Sequence, residues 1–126
     1  MSILTAFNNH FEEFLNDVIR VFPDDIDIAT AANALGKLRK ANPRLIILTF
    51  KEHVISQYGD EINAGNLNFF LNKDYSNDVE GTSQASAILD KIDKIKEPIR
   101  NMDPTEQAKV LQYMQNLCKI CNMYNN

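Results

Sequence analysis

The chain has 126 residues, 44% of them hydrophobic and 24% charged, and carries a formal net charge of −4. This length suits one domain able to bury about two-thirds of the surface its unfolded chain exposes, and this composition excludes a disordered tail, a collagen-like repeat and a disulfide scaffold. The acidic balance is spread over both halves and repels phosphate polymers and anionic membrane surfaces, so nucleic acid is not an expected partner.

The opening stretch, MSILTAFNNHFEEF, lacks a basic segment followed by a long apolar run, so it is expected to start a helix and not to act as a secretory leader. Leu4, Phe7, Phe11, Phe14, Val18 and Phe22 recur at steps of three and four, which predicts a helix of about 20 residues with one apolar stripe. Ser2 or Thr5 is expected to cap it, and Pro23 to end it. A second helix follows, with Ile28, Ala31, Ala32, Leu35 and Leu38 on one face. Asp24, Asp25 and Asp27 stand at its positive end and Lys37, Arg39 and Lys40 at its negative one.

Asn42 and Pro43 supply a cap and a first-turn proline for a third helix. Its residues Leu45, Ile46, Ile47, Leu48, Phe50, Val54 and Ile55 make it the most apolar run of the chain, and Gly59 is expected to stop it. Between Asp60 and Leu71 a short helix is expected to plug the core with Leu67, Phe70 and Leu71. Residues Asn72 to Thr82 are rich in turn formers and predict a surface loop.

Ser83 is expected to cap a helix whose Ile88, Ile92, Ile95, Ile99 and Met102 form a seam, with Pro98 kinking or breaking it. Asp103, Pro104, Thr105 and Glu106 then read as a capping box opening a last helix, whose stripe is Val110, Leu111, Met114, Leu117, Cys118, Cys121 and Tyr124. The scarcity of turn residues, 4 Gly and 4 Pro, argues against an all-β chain. The expected fold is all-α: a bundle of about five to six amphipathic helices in a single domain over 1–126, divisible into a helical core (1–72) and a C-terminal helical hairpin (83–126). No run reaches the roughly 20 apolar residues needed to span a bilayer.

The chemistry-bearing residues are sparse. Cys118 and Cys121 form a C-x-x-C, but at the far end of a helix, where the dipole disfavours thiolate, and on an apolar stripe. Core packing in a reducing compartment is the expectation for both, with no metal site, since only His10 and His53 could add ligands from distant helices. Asp74, Ser76 and Asp78 mimic the start of a calcium loop, yet Val79 and Ala85 stand where that loop needs glycine and glutamate. His10 and His53 lack a nucleophile in context, and Glu12, Glu13 and Asp17 fall on the polar side of the first helix. Three members of the basic cluster Lys37, Arg39, Lys40 and Arg44 lie at a helix C-terminus, where cations are favoured without any phosphate to bind.

The stretches FEEFLNDVIRVFPDD (Phe11 to Asp25), ALGKLRKANPRLII (Ala34 to Ile47), IKEPIRNM (Ile95 to Met102) and YMQNLCKICNMY (Tyr113 to Tyr124) together resemble a small helical protein family of large nucleocytoplasmic DNA viruses. The resemblance implies a virion component such as a minor capsid protein. It carries no catalytic residue and no cofactor. The reading is thus a non-enzymatic structural or interaction protein of the virion whose partners are other proteins or further copies of itself, with a host-cytoplasmic helical adaptor as the alternative. Phe7, Phe11, Phe14, Phe69 and Phe70 are the candidate interface anchors, because aromatic side chains dominate interface energetics; the competing role for each is the domain's own core.

Overall fold

Side-chain caps decide where the first helices begin. In the computed structural model, which describes residues 2–67, Leu71 and 84–124, Ser2 Oγ accepts the Thr5 backbone N–H at 3.0 Å and opens α1 (Ile3–Val21). Asp25 accepts from the backbone N–H groups of Asp27 and Ile28 and opens α2 (Ile26–Ala41). The next start differs from expectation. Asn42 and Pro43 do not open α3 (Leu45–Phe50); they form a turn in which the Asn42 backbone carbonyl accepts from the Leu45 N–H at 3.1 Å and its side chain from the Arg44 N–H at 3.3 Å. The asparagine serves the turn, and α3 begins without a side-chain cap.

The helical rod then runs on through a five-residue π-helical segment (Lys51–Ile55) into α4 (Ser56–Asn63), passing Gly59 without a break. The left-handed glycine is Gly65, with φ 90°. Its N–H donates to the Ile62 carbonyl at 3.0 Å while the Asn66 N–H reaches back to Glu61 at 2.8 Å, the paired closure that only a left-handed residue permits. Gly59 therefore lies inside the helix and Gly65 ends it. Beyond it, Leu67 and Leu71 are both buried, as the expected core plug requires. Phe69, Phe70, the stretch Asn72 to Thr82 expected as a loop, with Asp74, Ser76 and Asp78, and Ser83, expected as a cap, lie outside the described residues.

Two more helices follow among the described residues, α5 (Gln84–Arg100) and α6 (Pro104–Asn122). Pro98 does not break α5, which continues to Arg100. The proline sits one turn from the end, so it forfeits a single backbone bond while Ile95, Ile99 and Met102 stay buried on the core side. Asp103 accepts the Glu106 N–H at 2.9 Å and Pro104 takes the first position of α6. Only half of the expected capping box forms, because the Glu106 carboxylate turns instead to Arg20, 3.1 Å away on α1.

Every described element is helical, and no strand occurs among the described residues. α1 packs chiefly on α6 and α2 on α5, so the last two helices fold back on their own chain and touch each other less than they touch the first two. One continuous core takes side chains from every helix, among them Phe7, Val18, Leu35, Ile47, Phe50, Ile62, Ile88, Ile99, Leu117 and Cys121. Through it runs a ladder of rings. Phe50 meets Phe7 edge-on at 5.6 Å, Phe7 stacks on Phe11 at 6.1 Å, Phe11 meets Phe14 at 6.3 Å, and Phe14 meets Tyr113 of α6 at 5.6 Å.

Candidate functional site: a polar groove between α1 and α6

Contacts near both ends show that α1 and α6 run antiparallel. Arg20 meets Glu106 at one end, and the His10 and Tyr113 rings lie 5.1 Å apart towards the other. Between the two helices an open groove of about 420 Å3 is lined from α1 by His10, Glu13 and Asp17 and from α6 by Lys109, Gln112, Tyr113 and Asn116. These are positions i, i+3 and i+7 on one wall and i, i+3, i+4 and i+7 on the other, so each wall follows one helical face for about 10 Å. The groove has a fixed floor, because Tyr113 is the outer rung of the aromatic ladder that begins in the core.

Its charges are organised. At the end near Arg20, the guanidinium holds Asp17 Oδ1 at 2.8 Å and Glu106 Oε2 at 3.1 Å, and Lys109 Nζ stands 3.7 Å from Glu106. Those two cations and two carboxylates cancel. The hydrogen bond and charge of Asp17, with the charge of Glu106, raise the Arg20 pKa above its ordinary value. At the other end the His10 ring is mostly buried, its Nδ1 3.8 Å from Glu13 Oε2 and its Nε2 buried without a hydrogen-bond partner. Among the described residues no lysine or arginine is paired with Glu13 at this end. The Tyr113 phenol registers the charges around it: burial raises its pKa first, and the Asp17 and Glu13 charges push further the same way against Arg20. On the α6 wall, Gln112 Nε2 donates to Asn116 Oδ1 at 2.9 Å.

Two further cavities among the described residues are smaller. A pocket of about 100 Å3 between α1 and α2 lies beside the Arg39–Glu12 ion pair, 2.8 Å long. The Arg39 hydrogen bond and charge hold the Glu12 carboxyl below its usual range. An interior void of about 20 Å3 is walled by Phe11, Phe14, Phe50 and the buried Lys96, whose Nζ lies 2.8 Å from Asp93 Oδ1. That void has room for little more than one water molecule.

The residues singled out in the sequence fall in separate places. Phe7, Phe11 and Phe14 are 0%, 3% and 6% exposed, so their surface is taken up by the core in the isolated chain. Cys118 and Cys121 are both fully buried, and the Cys121 thiol donates to the Ile47 carbonyl at 3.6 Å. His53 sits in the π-helical segment, far along the chain from His10, beside Glu52 at 4.0 Å. Arg39 leaves the basic cluster to bind Glu12, and it also donates to the Asn8 carbonyl at 3.4 Å. Among the described candidates, Glu12 pairs with Arg39 on the other side of α1, while His10, Glu13 and Asp17 line one groove. Lys109, Gln112, Tyr113 and Asn116, their partners across the groove, carry no signal in the sequence beyond falling on the polar side of α6.

Among the described residues no helix is long and apolar enough to cross a membrane, and no group of three or more His, Cys, Asp or Glu side chains is placed to hold a metal ion. Compared with known proteins, the chain matches no family model, no curated protein and no solved structure.

Proposed function

We propose that the chain is a non-enzymatic interaction protein that docks another protein in the groove between α1 and α6. The observation that carries the reading is the make-up of that groove: an aromatic floor anchored to the core, a polar rim supplied by two helices, and enough open volume for a partner's side chains. A buried aromatic centre inside a hydrogen-bonding rim is the anatomy of a protein interface. The resemblance to a virus family gives the partner a setting, with the chain as a minor capsid protein packed among the capsid units of a large icosahedral DNA virus. A helical adaptor in the host cytoplasm would use the same groove.

Two measurements test this. A photo-crosslinking residue at Asn116 should capture one partner repeatedly, while the same residue at the exposed Ala29 of α2 should not; equal capture from both sites removes the groove from the account. Quantitative proteomics of purified particles should find the chain at a fixed ratio to the major capsid protein. Its absence there leaves the adaptor.

A further inference from the structure

On the reading that this groove docks a protein, we propose that the partner inserts an arginine side chain between Glu13 and the Tyr113 ring. The charge balance selects a cation. Asp17, Arg20, Glu106 and Lys109 neutralise one another, and among the described residues Glu13 is paired with no lysine or arginine, its neighbour being the His10 ring at 3.8 Å, so the open end of the groove presents a carboxylate that no lysine or arginine offsets. An anionic partner group would meet that charge, and the lysine on the wall is already held by Glu106. The floor selects a flat cation over a compact one. Tyr113 and His10, ring centroids 5.1 Å apart, both line the groove and give a guanidinium aromatic surface to lie against while its edge hydrogen-bonds the Glu13 carboxylate. Gln112 adds an acceptor, because its amide nitrogen is spent on Asn116 and its side-chain oxygen is not. A lysine ammonium would satisfy the charge but not the stacking.

The test is a titration of the isotopically labelled full chain with N-acetyl-arginine amide, with N-acetyl-lysine amide and N-acetyl-glutamine amide as comparisons, read by backbone amide shifts. The arginine compound should give saturable shifts centred on His10, Glu13, Gln112 and Tyr113, the lysine compound weaker ones and the neutral compound none. Glu13→Gln should weaken arginine binding about two- to fivefold, the range of an exposed ion pair. Lys109→Gln should do the opposite and tighten it, since it removes a cation from the same groove while Arg20 still holds Glu106. Opposite signs from two surface changes are not what loss of folding produces. Shifts scattered over the surface, equal shifts with the glutamine compound, or both variants moving affinity in one direction would overturn the arginine. A partner crosslinked from Asn116 whose binding ignores Glu13→Gln overturns the arginine too, yet leaves the docking groove standing; arginine-dependent shifts with no crosslinked partner remove the docking reading and with it the proposed partner.

Discussion

Cys118 and Cys121 lie three residues apart with no exposed surface, and burial pushes their thiols up to about 11 and about 12. Two outcomes follow from that burial. In the folded chain neither thiol should react with a disulfide reagent at pH 8, and both should react once denaturant unfolds it; fast labelling of the native chain would contradict the buried placement. Stability should also fall in alkali. Below the ordinary thiol value near 9 both states keep their protons and the contribution is intact. Above it the unfolded chain loses protons that the folded one retains, so stability declines from about pH 9 to about pH 12, by up to ~1.4 kcal/mol per pH unit for each thiol. Urea unfolding at pH 8, 10 and 11 should show this slope, and a Cys118→Ala, Cys121→Ala variant should show a shallower one. These cysteines were legible as core residues because they fall on an apolar stripe. His10, Glu13 and Asp17 were legible only as the polar side of α1. What makes them a site is the α6 wall about a hundred residues away, and spacing along one helix does not say which other helix it will face.

Among the elements, local chemistry located the helices better than it located their ends. Ser2, one of two candidates with Thr5, and Asp103 cap the helices expected of them, and Asp25, expected only among the acidic residues at the positive end of α2, caps that helix, since an N-cap depends on a side chain reaching backbone two or three residues on. Gly59 and Asn42 misled because one residue type serves several backbone conformations. Only the Ile62 and Glu61 carbonyls identify Gly65 as the true stop. The π-helical segment has no sequence signal of its own. Lys51 at its start donates to the Tyr124 carbonyl at 3.0 Å and the Cys121 thiol bonds Ile47 just before it, so the end of α6 braces the rod there. The two backbone roles of glycine give a paired prediction. Gly36 lies inside α2 with open space where a Cβ would be, so Gly36→Ala should stabilise the chain by about 0.5–1 kcal/mol. Gly65→Ala should destabilise it by about 1 kcal/mol, because an alanine must adopt the left-handed conformation. Thermal or urea unfolding of both variants reads the signs directly, and matching signs would mean that one of the two glycines is misplaced.

For the whole molecule, the all-α architecture followed from apolar residues returning once per helical turn. The pairing of α1 with α6 and of α2 with α5 did not, because many arrangements of the same stripes bury similar area. The outcome is one core that draws on both ends of the chain, so a cavity made anywhere in it should weaken every helix together. Phe7→Ala, which removes the ring between Phe50 and Phe11 in the ladder, should cost about 3–5 kcal/mol and lower a single cooperative transition without splitting it in two. With most of the described large apolar side chains held in that core, the polar groove of about 420 Å3 is the concave surface proposed as the place where the protein meets its partner. Hydrogen exchange of the chain, free and bound to whatever Asn116 captures, tests this most directly. New protection confined to residues 10–17 and 109–116 is the predicted result, and protection falling instead on the outer faces of α2 and α5, with the groove unchanged, would contradict it.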